Sequence, residues 1–273
     1  MKSNNLTILF VAYKPKTDLL KSLVLQFNKL YPIIIANNSE EKLNDIFYKL
    51  KNVSVIDSKK NLGNGAGINL CLKKCKTNLA LYMDIDILID KKNFLKLLNY
   101  SNKIKKYGVL VPNSGKIKTK KEVIKKWDME GSIMLINKKI INNIVRFDEH
   151  FFLYYEEVDF FLNCNKKNKD AFFLPHVKFI HNKSTSIETY NNFNKNELHL
   201  FRQWHYMWSK YHFYKKNFNT LVALKLSLPF LTKDILMFLF FVFRHNPKLY
   251  KKRYSRITGL VSSFLGLSSY KRL

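Results

Sequence analysis

Cysteine, glycine, proline, arginine and acidic residues are all scarce in this 273-residue chain. The three cysteines, Cys71, Cys75 and Cys164, make no C-x-x-C spacing. That argues against a disulfide framework and a zinc cluster, and a reducing, cytosolic setting follows. With 8 Gly and 6 Pro beside 47% hydrophobic residues, the collagen-like, low-complexity and disordered classes are excluded. Met1 to Asn5 lead straight into an apolar run, so no secretory leader is expected. Acids number 20 against 48 Lys+Arg, a formal net charge of +28. Only six of those cations are arginine, whereas base-reading proteins rely on arginine for bidentate contacts. An abundance of Lys, Asn and Ile together is the mix expected of A- and T-rich codons. The charge leaves an anionic surface, lipid included, as a partner.

What is present has a clear order. Leu6 to Tyr13, Pro32 to Ala36, Val53 to Ile56 and Leu79 to Met83 are short apolar runs of the kind that form buried strands. Helical spacing separates them at Asp18 to Leu30, at Glu41 to Leu50 and after the glycines Gly63, Gly65 and Gly67. The pattern predicts an α/β fold with a mainly parallel, doubly wound sheet, whose ligand crevice lies at the carboxyl ends of the strands. The loop after Tyr13, the turn at Asn37 and the acidic pair after Met83 all fall there.

From Leu200 onward the composition shifts to 14 Lys+Arg and one acid, Asp234. The organisation expected is therefore a catalytic domain over 1–199 and a basic, aromatic-rich helical region over 200–273. Leu221 to Phe243 is apolar but interrupted by Lys225, Pro229, Lys233 and Asp234. A membrane span needs about 20 predominantly apolar residues, so an interfacial helix pair is expected, with helices packed on the catalytic domain as the alternative.

Three stretches carry chemistry. Asp84 and Asp86 stand at i and i+2 after an apolar strand, so both carboxylates point the same way. Hard oxygen ligands in that arrangement suit Mg²⁺ or Mn²⁺, with phosphate oxygens completing the shell. Asn61-Leu62-Gly63-Asn64-Gly65 precedes a helix whose N-terminus attracts phosphate, although the spacing fits neither a Walker loop nor a G-x-G-x-x-G fingerprint. Phe147 to Asp159 sets five carboxylates among aromatics, where a raised pKa would suit general-base work. His181 ends a strand-like run and enters a polar loop.

Taken in this order, the segments resemble an inverting family-2 glycosyltransferase of the GT-A fold. Within that family they are similar to the rhamnosyltransferase-like branch that builds bacterial surface polysaccharides. The residues carrying the resemblance are Val11-Ala12-Tyr13, Asn37-Asn38-Ser39, Asn61-Leu62-Gly63 with Asn69, Asp84-Ile85-Asp86, Glu130-Gly131-Ser132, Phe147-Asp148-Glu149, Tyr155 to Asp159, and His181. They span roughly residues 5 to 190. The resemblance implies a GT-A, Rossmann-like sheet flanked by helices, with a C-terminal helical extension. It implies that Ala12, Tyr13, Asn37, Asn61, Gly63, Asn69 and Asp84 line the donor nucleotide-sugar pocket. Asp84, Asp86 and His181 would hold Mn²⁺ or Mg²⁺. Glu157, supported by Glu156 and Asp159, would deprotonate the acceptor hydroxyl. The acceptor implied is a lipid-linked glycan or oligosaccharide, at the inner face of the bacterial cytoplasmic membrane.

Two positions depart from the family pattern: Ala36 stands where an Asp usually precedes the turn, and Glu157 where the base is usually Asp. A catalytically degenerate member is one alternative. A basic protein binding single-stranded nucleic acid through Phe201 to Tyr206 is another, but it leaves the ordered carboxylates unexplained.

Overall fold

Apolar strands that bury both faces need helices on both sides, and the chain supplies them in alternation. The computed structural model describes residues 5–142, 144–182 and 195–272; the end of the family-like span, 183–190, lies outside them. The described residues divide into two compact units. One holds residues up to 148 together with those from 157, and the other holds 149–156 together with the C-terminal helices.

The sheet unit begins with β1 (Leu6–Ala12), α1 (Thr17–Phe27), β2 (Ile33–Asn37), α2 (Ile46–Lys49) and β3 (Val53–Asp57). It continues through α3 (Asn64–Lys74), β4 (Leu79–Met83), β5 (Ile87–Leu88), α4 (Lys91–Lys103) and β6 (Val109–Asn113). Next come β7 (Ile124–Lys125), β8 (Ile133–Asn137) and α5 (Lys138–Ile141). Beyond the other unit's 149–156 segment follow α6 (Glu156–Lys166), β9 (Ala171–Lys178) and β10 (Ile180–His181).

The main sheet runs β3-β2-β1-β4-β8-β6-β9-β7. Its β1–β2, β2–β3, β1–β4 and β6–β9 pairs are parallel. The expected doubly wound, mainly parallel sheet is present, with two additions: β8 is antiparallel to both neighbours, β4 and β6, and the edge strand β7 is antiparallel to β9. Alternation along each strand builds two cores. Ile8, Phe10, Leu81 and Leu135 face Leu20, Val24 and Leu97. Leu9, Tyr82, Met134 and Ile136 face Ile68, Cys71, Phe160 and Cys164. Each fully buried Leu or Ile contributes about 1.5–3 kcal/mol of transfer free energy.

The helix expected over Glu41 to Leu50 is only one turn, α2. Asn37 Nδ2 donates to Glu41 O (2.8 Å) and Ile46 N donates to Asn44 Oδ1 (3.1 Å). These side-chain bonds satisfy the backbone in a turn and compete with a helix.

The helical unit contains α7 (Lys195–Asn217), α8 (Thr220–Phe243) and α9 (Pro247–Phe264). α9 lies backbone-close to α7 at Gly259, where a Cβ would meet Trp204 O at 2.3 Å. α8 is one unbroken helix through Pro229 rather than the expected pair, and it is long and apolar enough to cross a membrane by length and composition. Proline removes one ladder donor, and the carbonyls nearby are taken up by Thr232 Oγ1, which donates to Leu228 O (3.2 Å) or Pro229 O (3.1 Å).

The burial pattern of α8 is reversed from that of a helix in water. Its buried residues are Ala223, Ser227 and Asp234, while Leu221, Leu228, Leu236, Leu239, Phe240 and Phe243 are exposed. Asp234 accepts from Arg253 Nη1 (2.7 Å) and Arg256 Nε (2.8 Å) of α9. Arg256 Nη1 in turn donates to Gln203 Oε1 of α7 (3.0 Å).

Candidate active site

β4 is buried throughout and delivers Asp84-Ile85-Asp86 at its carboxyl end. Asp84 N donates to Ser132 O (2.8 Å), which pins the acidic turn beside the β4–β8 pair. β5 follows at once and pairs antiparallel with β10, placing His181 opposite Ile87. Asn182 N donates to Asp86 O (2.9 Å). This short pairing brings two distant parts of the chain together: His181 Nε2 lies 3.2 Å from Asp86 Oδ1. Its Nδ1 lies 2.8 Å from Glu130 Oε1.

One ligand atom from each of Asp84, Asp86 and His181 lies within 4.8 Å of the others. Two carboxylates and one imidazole are a donor set that fits a divalent cation of the Mg²⁺ or Mn²⁺ class. Glu130 accepting from Nδ1 aims the other ring nitrogen at the carboxylates, the outer-shell arrangement that orients a metal-bound histidine. Glu130 Oε2 is held by Ser114 Oγ (3.0 Å) and Lys116 Nζ (2.6 Å).

The electrostatics have the same origin. Burial pushes the Asp84 carboxyl up to about 7, opposed by its hydrogen bond from Tyr82 and reinforced by Asp86. The Tyr82 hydroxyl sits between Asp84 and Asn64 Oδ1, with which it makes a 2.9 Å contact. Hydrogen bonds to Asp86 and Glu130 hold the His181 imidazolium up to about 9, against the opposing effect of burial. Negative charge is therefore concentrated here in the cation-free protein, and His181 partly balances it.

Glu157 lies in the first turn of α6. Its Oε2 is buried and has no hydrogen-bond partner among the described residues. Burial pushes its carboxyl up to about 7, helped by the nearby charge of Glu130. Gly131 makes room for it: a Cβ at that position would meet Glu157 Cβ at 2.5 Å and Cγ at 2.6 Å. A buried carboxylate that titrates near neutrality beside a cation site suits proton abstraction. Glu156 and Asp159 are buried, and Asp159 Oδ2 accepts from Asn163 Nδ2 (2.9 Å).

On the donor side, Ala12 is buried and Tyr13 half-buried at the end of β1. Asn37 Nδ2 donates to Asp57 Oδ1 (2.7 Å) as well as to Glu41 O. Asn61 Oδ1 accepts from Gly63 N (3.0 Å), and Asn38 Nδ2 donates to Gly63 O (2.9 Å). Gly63 adopts φ 89° at the N-cap of α3, a left-handed conformation that glycine takes without steric cost. Asn69 is tied to Phe147, donating to its carbonyl (2.9 Å) and accepting from its amide (3.2 Å). Asn37, Asn61 and Asn69 thus hold the loops around the strand ends.

Two residues had no role in the sequence reading. Glu130 lies in a segment that carries the resemblance, and its contact with His181 is visible only once β10 pairs with β5. Asp57 ends β3 opposite Asn37 and accepts from Asn37 and from Tyr48 Oη (2.8 Å). Its signal in the sequence is a lone acid closing an apolar strand, without the i, i+2 partner that marks Asp84.

Residues 17–165, more than half of the chain, match the family described as glycosyl transferase family 2. The chain belongs to that family and is a glycosyltransferase. It is 24% identical over 208 residues to the low-salt glycan biosynthesis hexosyltransferase Agl10 of Haloferax volcanii, covering 66% of this chain and 67% of that one. Two solved structures share the fold. The mannosyltransferase PcManGT from Pyrobaculum calidifontis, in complex with GDP-Man and Mn²⁺, matches with TM-score 0.55 at 8% identity, over 96% of this chain and 87% of that one. S. aureus TarS 1-349 matches with TM-score 0.51 at 13% identity, over 98% and 93%.

Proposed function

We propose that this protein transfers a sugar, rhamnose or a similar hexose, from a nucleoside-diphosphate donor to a lipid-linked glycan by single displacement with inversion. The observation that carries the reading is the convergence of Asp84, Asp86 and His181 next to Glu157, whose buried carboxyl is poised near neutrality. Asp84, Asp86 and His181 would hold Mn²⁺ or Mg²⁺, which when bound supplies Lewis-acid stabilisation of the leaving diphosphate. Glu157 removes the proton from the acceptor hydroxyl as its oxygen attacks the anomeric carbon. Gly131 keeps the space that side chain occupies, and Glu130 orients His181. Asn37, Asn61 and Gly63 shape the loops against which the nucleotide lies. In this reading residues 1–199 are the catalytic domain.

Residues 200–273 place the enzyme on the inner face of the cytoplasmic membrane, as a peripheral protein. Support comes from the outward leucines and phenylalanines of α8 and from the exposed cations Lys215, Lys216, Lys225, Lys233, Arg244, Lys248 and Lys251. Each cation near an anionic leaflet contributes about 1 kcal/mol, and inserted apolar side chains add to it.

A transfer assay with a nucleotide-sugar panel and Mn²⁺ or Mg²⁺ tests the reading. One donor class should turn over, and Glu157→Gln should lower kcat about 10²- to 10⁴-fold while donor affinity is retained. A Glu157→Gln variant as fast as the parent would remove Glu157 as the base.

A further inference from the structure

Four neighbouring strands of the sheet unit, β4-β1-β2-β3, are parallel and share one carboxyl end. From β1 the chain builds outward to β2 and β3 on one side and then to β4 on the other, and a sheet that reverses its order in this way takes its ligand at those ends. Asp84 and Asp86 directly follow β4, and Asp57 closes β3. Adjacent strands lie about 4.8 Å apart, so the two acidic positions stand about 14 Å from each other along the sheet edge. An extended nucleoside diphosphate covers that reach, from cation-bound phosphates to the far edge of its base.

The polar groups at the β2–β3 end can be accounted for one by one. Asn37 is fully buried, and its Nδ2 donates to Asp57 Oδ1 (2.7 Å) and to Glu41 O (2.8 Å). Its Oδ1 accepts from Ser39 N (3.1 Å). A side-chain amide has two N–H hydrogens, so Asn37 has no donor left for a ligand. Tyr48 Oη donates to Asp57 Oδ1 (2.8 Å) and accepts from Leu43 N (3.3 Å). Ala36, where the family pattern has an acid, is fully buried in the core.

Asp57 is different. Both donors meet its Oδ1, and its Oδ2 makes no hydrogen bond among the described residues. The residue is half-buried and Tyr48 beside it is 39% exposed. The carboxylate is therefore fixed in orientation, accessible, and has one oxygen to spare. A carboxylate accepts hydrogen bonds and does not donate them.

We propose that Asp57 reads the base of the donor nucleotide, its Oδ2 accepting from a ring N–H. The substrate class follows from that chemistry. Uracil and thymine present N3–H on their pairing edge, and guanine presents N1–H. Cytosine N3 and adenine N1 carry a lone pair at the same place, which the carboxylate repels. The donor is then a diphosphate sugar of uridine, thymidine or guanosine. This inference rests on the nucleotide-sugar reading above, and it adds the residue that selects the base.

The test measures by calorimetry how tightly the full chain binds UDP, dTDP, GDP, CDP and ADP in the presence of Mn²⁺. One of the first three should bind at least about tenfold tighter than both CDP and ADP, the worth of one charge-assisted hydrogen bond. Asp57→Asn keeps Oδ1 for Asn37 and Tyr48 and puts an amide donor in place of Oδ2. It should weaken the favoured nucleotide about tenfold while CDP or ADP holds or tightens. Were Asp57 only an anchor for Asn37, Asp57→Asn would leave the preference unaltered, because the anchoring oxygen is retained. That result would overturn the proposal, as would a parent chain that binds all the nucleotides alike or favours CDP or ADP. Methylation of the ring nitrogen of the favoured nucleotide probes the unmodified protein. It should cost the parent about tenfold and Asp57→Ala much less, and an equal cost in both would again overturn the proposal. A parent chain that binds none of the nucleotides would end the nucleotide-sugar reading and this inference with it, whereas retained binding with an unaltered Asp57→Asn preference ends this inference alone.

Discussion

The two units distribute polarity in opposite ways. In the sheet unit, Ile8, Phe10, Leu81 and Leu135 are fully buried and the carboxylates emerge at strand ends. In the helical unit α8 turns a carboxylate inward, with Asp234 2% exposed, and leaves Leu236 67% and Phe243 82% exposed. Apolar burial drives the first arrangement in water. The second gains little from water, because a buried ion pair roughly breaks even against its desolvation. In the membrane-facing reading proposed above, small and polar side chains form the contacts between helices and leucine faces outward. The same rare residue type therefore serves two ends. Carboxylates at the strand ends form a group that could hold a cation, and the single carboxylate of the C-terminal region pairs with Arg253 and Arg256 between helices.

That contrast can be broken in a graded way. Asp234→Ala leaves Arg253 and Arg256 facing each other without their shared partner. It should destabilise the helical unit by about 3 kcal/mol, read as a lower urea midpoint, while the cation-dependent shift of the sheet unit survives. A variant as stable as the parent would show that the triad does not organise the helices. Gly131→Ala inserts a methyl where Glu157 already lies, so a cost of about 1–3 kcal/mol is expected together with reduced turnover. Unchanged kinetics would separate Glu157 from the reaction.

The third expectation concerns pH. Asp84 and Glu157 are held up to about 7 and His181 up to about 9. Raised values mean that the folded, cation-free protein holds these protons more tightly than the unfolded chain. The contribution of these three groups to stability is therefore greatest in acid and declines as pH rises through about 7, then through about 9, whereas buried His205, held down to about 4, contributes in the opposite sense below neutrality. Melting of chelator-treated protein across that range should show the decline, and added Mn²⁺ should flatten it. The same pH dependence with and without Mn²⁺ would contradict the electrostatics. The smallest effect on folding belongs to Leu236→Asp, an exposed position where stability should move by no more than about 0.5 kcal/mol. Sedimentation with anionic vesicles should nonetheless fall sharply, and unaltered sedimentation would remove α8 from the membrane face.

Much of the fold is legible because burial leaves periodic marks. Leu79–Met83 is a strand at the limits its apolar run implies, and the mainly parallel order follows from helices between strands. Strand direction leaves no such mark, so antiparallel β8 goes unread. The helix expected at Glu41 to Leu50 shrinks to one turn because Asn37 and Asn44 capture the backbone first, a contest that helical periodicity does not register. Pro229 suggests a break, yet α8 continues through it. At the site, Asp84 and Asp86 are visible from their spacing alone, whereas the partnership of Glu130 with His181, 51 positions apart, depends on the two-residue pairing of β5 with β10, which no local pattern encodes.

The central claim is that Asp84, Asp86 and His181 form a cation centre for a nucleotide-sugar. Thermal melting of the parent chain and of Asp86→Ala, each with nucleoside diphosphates and nucleotide-sugars with and without Mn²⁺, tests it most directly. The account predicts that one nucleotide class raises the parent's Tm only when the cation is present, and that Asp86→Ala loses this shift while melting near the parent temperature without ligand. An equal shift without the cation, or one retained in Asp86→Ala, would contradict it.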